Sequence, residues 1–365
     1  MLSVIFSRRM LVSFIMGFAC GLPLLLTSTV LQAWMKDEGL DLTVIGLMAL
    51  VGLPYTMKFL WAPFLDRFTF SLLGRRRGWL LIAQVFLVFS IAGLGFTDPA
   101  GNPVVMVVSA LLVTFFSASQ DIVVDAYRRE DLADEELGLG SSFYINGYRV
   151  GMLLASGGGL ILADHLPFPM VYMIMAACML PGIVTTLLTP EPAVLAGMPK
   201  TLREAIVEPL AEYFSRENAL LILAFVLLYK IGDTMASAIT TPFYLDIGFS
   251  KTEIGAVVKL FGFWATVAGS LIGGLLMLRI GINRSLWIFG FLQAISTAGF
   301  AILARIGHSV PALSGVIAFE NLTAGMGTAA YAAFMASLTN RKFTATQYAL
   351  LSSLMGVPRV LASAP

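Results

Sequence analysis

Apolar residues recur along the chain in blocks of roughly 20, separated by short polar stretches. A block of that length crosses a bilayer when it folds as a helix. We predict such spans at residues 10–35, 42–65, 78–97, 103–127, 138–163, 169–188, 218–246, 252–278, 284–304 and 311–338. An eleventh block begins near residue 344 and is still running at Pro365. The pattern therefore predicts an all-α polytopic membrane protein.

One connection differs from the others in length and composition. Residues 189–217 contain Pro190, Pro192, Pro199 and Pro209 and most of a charged amphipathic segment. Prolines and loss of apolar periodicity mark boundaries between structured segments. We predict an N-terminal six-helix bundle at 1–188, a cytoplasmic linker at 189–217 and a C-terminal bundle at 218–365.

The two bundles repeat each other in sequence. Leu42-Thr-Val-Ile-Gly46 opens the second span, and Lys251-Thr-Glu-Ile-Gly255 opens the eighth about 210 residues later. Arg149 in the fifth span is matched by Arg359 in the eleventh at a similar offset. Parallel repeats of six spans, with substrate held between them, are a known design of secondary transporters. The same offset leads us to expect that this chain lacks the rest of the eleventh span and a twelfth.

The composition agrees with a membrane protein. Of the 365 residues, 58% are hydrophobic and 12% are charged, and the mean hydropathy is +0.86. Soluble domains carry about 25% charged residues. The net charge of +1 and the lack of a basic patch with interleaved aromatics exclude a nucleic-acid partner. Cys20 and Cys178 stand singly in apolar blocks, so we predict no metal site, no cofactor and no catalytic centre.

Basic residues in the loops predict the orientation. With the N terminus in the cytoplasm, fifteen Lys and Arg residues fall on the cytoplasmic side, whereas only Lys36, Lys251 and Arg305 fall outside. Membrane proteins show such an excess of Lys and Arg in their cytoplasmic loops. Arg8 and Arg9 precede a long apolar segment without a small-residue cleavage site, so we expect an uncleaved first span.

Charged residues interrupt some of the spans but not others. They are Lys58, Asp121, Asp125, Arg149, Lys230, Asp233, Lys259, Glu320 and Arg359. They fall on spans 2, 4, 5, 7, 8, 10 and 11, and none falls on spans 3, 6 or 9. An ionisable residue within a span is costly and normally faces the protein interior or a water-filled cavity. The charges therefore indicate one polar cavity, as in a transporter.

Three carboxylates are candidates for carrying a proton: Asp121, Asp233 and Glu320. A carboxyl group on a partly desolvated cavity face can bind and release a proton reversibly. Asp121 and Asp125 are four residues apart and share one helical face. Lys230 and Asp233 are three residues apart and could instead neutralise each other. Lys259 is expected to extend its ammonium to the interface.

Other residues suit the binding of a polar, anionic ligand. A guanidinium stays charged at mid-membrane and needs an anion from the protein or from a ligand. Amides and hydroxyls in a cavity bind ligand hydroxyls and amides. The candidate substrate-binding residues are Arg149, Arg359, Gln120, Lys58, Gln32, Asn146, Tyr148, Lys230 and Asn321.

A third group suggests gating. Asp66-Arg67 at the end of the second span is followed by Gly74-Arg-Arg-Arg77 before the third. Salt bridges at such a position can hold two halves of a protein in one state and break in another. The candidate gating residues are Asp66, Arg67, Arg75, Arg76, Asp125 and Arg128, although Asp125 could be a purely structural partner of the loop arginines.

Longer stretches carry a family resemblance. They are Gly21-Leu-Pro-Leu-Leu-Leu-Thr-Ser-Thr-Val-Leu-Gln-Ala-Trp-Met35, Lys58-Phe-Leu-Trp-Ala-Pro-Phe-Leu-Asp-Arg67, Gly74-Arg-Arg-Arg-Gly-Trp79, Ser117-Ala-Ser-Gln-Asp-Ile-Val-Val-Asp-Ala126, Tyr229-Lys-Ile-Gly-Asp233, Phe319-Glu-Asn-Leu322 and Ala345-Thr-Gln-Tyr-Ala-Leu-Leu351. Together they resemble the muropeptide permease (AmpG) family of the major facilitator superfamily.

The resemblance implies a fold and a function. The fold would be the major facilitator fold of two six-helix repeats, here with eleven spans. The function would be proton-coupled import of anhydromuropeptides across the Gram-negative inner membrane, which serves peptidoglycan recycling and β-lactamase induction. We expect the protein to act as a monomer in the bilayer, with the muropeptide and protons as its small partners.

Three alternatives remain at this stage. One is a transporter of the same fold for another polar anion such as acetyl-coenzyme A. A membrane-embedded enzyme would need a base or nucleophile near the bilayer surface. His165 and His308 lie in outer loops without a Cys or carboxylate cluster, which disfavours it. A sensor that binds ligand without transporting it is the third.

Overall fold

The computed structural model describes residues 2–70, 73–193, 197 and 199–362. For residues 2–3, 233–239 and 356–362 it describes the backbone only. The side chains of Asp233 and Arg359, predicted above to carry function, therefore lie outside the described residues.

The described residues form eleven long helical segments, which we number α1 to α11. They are α1 (Arg8–Asp37), α2 (residues 42–67), α3 (Arg75–Gly95), α4 (Pro103–Asp131), α5 (residues 137–163), α6 (Phe168–Leu188), α7 (residues 219–246), α8 (Lys251–Ile280), α9 (Ile282–Ile306), α10 (Val310–Ser337) and α11 (Thr344–Ala362). A linker helix, Leu202–Phe214, separates α6 from α7. Each predicted span coincides with one of these helices to within a few residues.

Seven of the described helices are long and apolar enough to cross a membrane. They are α1, α2, α3, α4, α6, α8 and α9. The segments α5, α7, α10 and α11 complete the predicted set. We call α1–α6 the N-terminal half and α7–α11 the C-terminal half.

Local chemistry fixes where many of these helices begin and end. The Asp41 carboxylate accepts a hydrogen bond of 2.7 Å from the backbone N–H of Thr43 at the start of α2. Ser250 and Glu253 form a capping box at the start of α8. Gly281 and Gly307 end α8 and α9 with φ near +79°, which glycine adopts without strain. Short-range signals of this kind explain why sequence alone predicted the boundaries.

Helices within each half pack through small residues. A Cβ atom at Gly147 of α5 would lie 1.9 Å from the carbonyl oxygen of Phe14 on α1. A Cβ atom at Gly325 of α10 would lie 2.3 Å from the carbonyl oxygen of Thr266 on α8. Membrane helices often associate at such small residues because their backbones can then approach closely.

The two halves meet along two seams that correspond under the sequence repeat. One seam joins α5 to α8, and the other joins α2 to α11. The repeat offset relates α2 to α8 and α5 to α11, so the two seams exchange under a pseudo-two-fold axis. The space between the halves therefore lies between two equivalent walls.

The halves touch at one end of the bundle and diverge at the other. We call the end with Arg9, Arg76, Arg129, Arg216 and Arg341 the basic end. Near this end, a Cβ atom at Gly274 of α8 would lie 2.3 Å from Oγ of Ser142 on α5. Near the opposite end, a Cβ atom at Gly255 of α8 would have no described atom within 4 Å. The molecule is therefore closed at its basic end.

Candidate transport site

A cavity of about 690 Å³ lies between the two halves. Its walls include side chains from α1, α2, α4, α5, α7, α8, α10 and α11. No described lining residue comes from α3, α6 or α9, which correspond to the predicted spans without a charged residue. Its volume is within the range of small-molecule binding sites.

Lys58, Asp121, Arg149 and Lys230 bring charge into this cavity from α2, α4, α5 and α7. Each of these residues was predicted from sequence as a site residue. The tyrosines that line the cavity are Tyr144, Tyr148, Tyr331 and Tyr348. Of these, only Tyr148 was predicted. The cavity thus combines cationic groups with aromatic walls.

Arg149 lies in the cavity without a counter-ion among the described residues. Its guanidinium forms neither an ion pair nor a side-chain hydrogen bond with them, although Arg149 is partly buried. A cation in such a position attracts an anion from outside the protein. Arg149 is therefore the group best placed to hold a carboxylate of a ligand.

Asp121 is the least satisfied carboxylate of the cavity. Its side chain is almost completely buried, and its Oδ1 atom has no hydrogen-bond donor among the described residues. A buried carboxylate oxygen without a donor is costly when charged, and protonation relieves that cost. The geometry therefore suits a group that exchanges a proton.

Lys58 and Lys230 complete the cationic wall. The Lys58 side chain is buried, yet its ammonium lies within salt-bridge distance of no described carboxylate. The ammonium of Lys230 donates a hydrogen bond of 3.0 Å to Oγ1 of Thr328 on α10. Lys230 therefore links α7 to α10 at the cavity surface.

Arg128 lies near the basic end and contacts three residues of the cavity lining, Asp125, Tyr144 and Tyr348. Its guanidinium donates hydrogen bonds to Asp125 at 3.0 Å, to Ser141 Oγ and to the hydroxyl of Tyr348 at 3.1 Å. It also lies over the ring of Tyr144, 4.6 Å from the centroid. Asp125 is thus paired with Arg128, and Tyr348 of α11 ties this cluster to the C-terminal half.

Asp66 also connects the two halves near the basic end. Its fully buried carboxylate accepts hydrogen bonds from the Arg76 guanidinium at 2.8 Å and from the Ala345 backbone N–H at 3.3 Å. Thr346 adds two more, from its backbone N–H at 2.8 Å and its hydroxyl at 2.7 Å. Asp66 therefore caps the N terminus of α11 across the seam, where helix N–H groups favour negative charge.

Glu130 and Glu191 bind the three arginines at the start of α3, Arg75, Arg76 and Arg77. Glu130 accepts hydrogen bonds from Arg75 at 2.8 Å and from Arg76 at 2.6–3.2 Å. Glu191 accepts from the backbone N–H groups of Arg76 and Arg77 at 2.7 and 2.9 Å, at the start of α3. Sequence reasoning missed both carboxylates, because neither lies within a predicted span.

A second contact crosses the basic end nearer the surface. Asp134 accepts hydrogen bonds from Arg129 at 2.7 Å and from Arg341 of the C-terminal half at 3.4 Å. The hydrogen bond from Arg129 lowers the pKa of the Asp134 carboxyl below its usual value. Asp134 therefore stays ionised at neutral pH.

The structure places several predicted site residues away from the cavity lining. Gln120 donates to the carbonyl oxygen of Ala19 at 2.9 Å, and Asn321 accepts from Thr266 at 2.9 Å. These amides join neighbouring helices instead of facing the lumen.

Other predicted site residues also lie outside the cavity lining. Asn146 is buried, Gln32 is exposed and Glu320 is half-buried. Arg67 lies over the Phe68 ring at 5.4 Å rather than in the Asp66 cluster.

The fold and this central cavity define a membrane transporter built of two helical halves. The crystal structure of the Escherichia coli fucose:proton symporter FucP is similar, with a TM-score of 0.74 and 12% sequence identity over 97% of this chain and 90% of that chain. The model of the Major Facilitator Superfamily matches residues 9–363.

Two curated relatives narrow the family. The anhydromuropeptide permease of Escherichia coli (strain K12) is 47% identical over 354 residues, which cover 96% of this chain and 72% of the relative. Putative transporter AmpG 4 of Rickettsia conorii is 32% identical over 94% of this chain and 86% of the relative. The chain belongs to the major facilitator superfamily and, within it, to the muropeptide permease (AmpG) family. It is a multi-pass membrane transporter and not an enzyme.

Proposed function

We propose that this protein imports anhydromuropeptides, N-acetylglucosaminyl-1,6-anhydro-N-acetylmuramyl peptides, from the periplasm to the cytoplasm. The observation that carries the proposal is Arg149, a cavity cation without a counter-ion among the described residues. The 47% identity to the anhydromuropeptide permease supports the choice of ligand. Import of these compounds would supply peptidoglycan recycling and the signal for β-lactamase induction.

The chemistry of the cavity suits such a ligand. A muropeptide carries peptide carboxylates, which Arg149, Lys58 and Lys230 can bind by charge-assisted hydrogen bonds. It also carries sugar rings and acetamides, whose apolar faces can pack on tyrosine rings while their polar edges meet the tyrosine hydroxyls. Tyr148 of the N-terminal half and Tyr331 of the C-terminal half both contribute to the cavity lining.

Asp121 is the residue that we propose for proton coupling. It lies on the same cavity wall as Lys58 and has a buried, undonated oxygen. Protonation would neutralise it when the cavity faces the proton-rich side, and release of the proton would follow on the other side. Glu320 and Asp233 remain candidates from sequence, although Glu320 does not line the cavity in this conformation.

The basic end would face the cytoplasm of a Gram-negative inner membrane, in accord with the excess of Lys and Arg there. The conformation described here would then be closed to the cytoplasm and ready to accept substrate from the periplasm. Opening of the cytoplasmic side would require Asp66 to leave Thr346, and Arg128 to leave Tyr348. The described lining residues come from both halves of a single chain, so we propose a monomer.

Uptake into membrane vesicles tests the function. Vesicles that contain the protein should accumulate radiolabelled anhydromuropeptide when an inward proton gradient is imposed, and an uncoupler should stop the accumulation. Uptake that ignores the gradient would refute coupling while leaving the transport assignment intact.

Competition tests the ligand separately. Unlabelled anhydromuropeptide should reduce the uptake of labelled compound, and acetyl-coenzyme A at the same concentration should not. Efficient competition by acetyl-coenzyme A alone would reassign the transporter to another anion.

A further inference from the structure

The linker helix has an apolar face that other parts of the described chain do not cover. Leu202, Ile206, Leu210 and Phe214 recur every four residues along it, and Val207 lies beside them. These side chains remain 38–52% exposed. Residues spaced by four lie along one side of a helix, so the exposed apolar atoms form a continuous stripe.

A different face of the same helix packs against the protein. Ala205, Pro209 and Tyr213 are buried, and the helix lies against the end of α2 and the start of α11. Gln347 of α11 donates hydrogen bonds to the carbonyl oxygen of Pro209 at 3.0 Å and to Glu212. The helix is therefore fixed in place, and its apolar stripe does not fold back onto the bundle.

Charge is unevenly distributed around the linker helix. On a helical wheel Arg203 falls within the apolar stripe, whereas Glu204, Glu208 and Glu212 fall on another side. Glu208 pairs with Lys342 at 2.9 Å, and Glu212 pairs with Arg216 at 2.7 Å. Arg203 is exposed and forms no ion pair with a described residue. The stripe thus presents one available cation among its apolar side chains.

The stripe continues the surface that faces lipid. A few residues after Phe214, Leu220 and Leu221 at the start of α7 are 72% and 69% exposed. At the end of α2, which contacts the linker helix, Phe64 and Phe68 are also exposed. Apolar residues exposed on the helices of a membrane protein face acyl chains. The stripe therefore lies where that surface meets the basic end.

We propose that the linker helix lies in the membrane interface, with its apolar stripe in the acyl boundary and Arg203 on the phosphate of an anionic phospholipid. An interfacial helix has this division of apolar, basic and water-facing sides. Basic residues near such a surface gain from its negative potential. Gln347 and Lys342 bind this helix to the start of α11. The lipid contact therefore also affects the position of the start of α11, which Asp66 caps.

Site-directed fluorescence on the full chain in nanodiscs tests the proposal. An environment-sensitive dye is attached to Ile206→Cys or Leu210→Cys in a chain with Cys178→Ser, and to the matched control Ala211→Cys on the water-facing side. Lipids with brominated acyl chains should quench the dye at 206 and 210 several-fold more strongly than at 211. Equal quenching at the three positions would overturn the proposal.

Lipid composition tests the role of Arg203. Quenching at 206 should be stronger in discs of phosphatidylcholine with phosphatidylglycerol than in phosphatidylcholine alone, and Arg203→Gln should remove about a fivefold preference for the anionic discs. The same quenching in both lipids would refute the anionic contact. Shielding of the dyes that appears only in discs with two copies would assign the stripe to self-association and overturn the proposal.

Discussion

At the scale of single residues, the cavity carries an excess of positive charge. Asp125 is paired with Arg128, which leaves Asp121 as the one other described lining carboxylate beside Lys58 and Arg149. Burying two cations beside one carboxylate is unfavourable unless water or a ligand compensates. The net positive charge of the cavity lining therefore favours the binding of an anionic solute.

The first prediction concerns Arg149. Arg149→Gln should raise the KM for anhydromuropeptide uptake by roughly 10- to 100-fold, because a hydrogen bond to a charged group contributes about 1.5–3 kcal/mol. Arg149→Lys keeps the charge but loses the planar donor pair, so its KM should fall between the two. Concentration-dependent uptake in vesicles measures both. Arg305→Gln, an exposed arginine at the end of α9, should leave the KM unchanged, and a normal KM in Arg149→Gln would refute ligand contact.

The second prediction separates proton coupling from transport. Asp121→Asn has nearly the same shape but cannot exchange a proton, so gradient-driven accumulation should fall to the level reached with an uncoupler. Exchange of labelled for unlabelled muropeptide across the membrane needs no net proton movement and should persist. Asp246→Asn, an exposed carboxylate at the end of α7, is the matched control. Accumulation by Asp121→Asn at the normal level would assign coupling to another group.

At the scale of helices, the seams explain how a transporter of this kind can hold one conformation. The Asp66 carboxylate belongs to α2 but caps the N terminus of α11. The same hydrogen bonds therefore cap α11 and hold the two halves together at the basic end. A helix N terminus buried without an acceptor is unfavourable. Separation of the halves at the basic end must therefore expose the start of α11 to water or provide another acceptor.

The third prediction follows from this contact. Asp66→Asn removes the charge from a carboxylate that accepts from Arg76, Ala345 and Thr346, which should cost the closed state about 1.5–3 kcal/mol. The population open at the basic end should then rise roughly 10- to 100-fold. The alkylation rate of Ser142→Cys, buried between α5 and α8, measures that opening in a chain with Cys178→Ser.

A matched control for this experiment lies at the other end of α2. Asp41 also caps a helix, but it caps α2 itself and crosses no seam. Asp41→Asn should leave the alkylation rate of Ser142→Cys unchanged. If Asp66→Asn likewise leaves it unchanged, Asp66 is a structural cap and not part of a gate.

Elements were easier to predict from sequence than contacts. Helix limits depend on residues such as Asp41, Ser250 and Gly281, which act within one turn. The charge pattern also predicted seven of the eight helices that line the cavity, because a charged side chain is costly in lipid at any position. It missed α1, which contributes the apolar residues Leu24 and Leu25. Gln120 and Asn321 could not be assigned in this way. Polar faces of membrane helices can meet either a lumen or a neighbouring helix, and only the packing decides between them.

At the scale of the whole molecule, the internal repeat gives alternating access a simple geometry. The seams α2–α11 and α5–α8 correspond under the repeat, so the halves can rock about an axis through the cavity with both seams moving together. Closure at one end then requires separation at the other, because each half is held rigid by close helix contacts such as Gly147 with Phe14. The central residues stay near the axis and change their exposure more than their position.

The last prediction measures this motion directly. Spin labels at Leu42 and Lys251, which open α2 and α8 at the same point of the repeat, report the end opposite the basic end. Labels at Glu135 and Asn283 report the basic end. Saturating muropeptide with acidification should shorten the first distance and lengthen the second, each by on the order of 5 Å.

A label pair within one half separates rocking from local flexibility. Leu42 and Gly101 both belong to the N-terminal half, so their distance should not change when ligand is added. If the first two distances change together with this one, the halves deform instead of moving as units. If the Leu42–Lys251 distance shortens while the Glu135–Asn283 distance stays constant, the ligand occludes the cavity without releasing Asp66, and opening of the basic end requires a separate event such as deprotonation of Asp121.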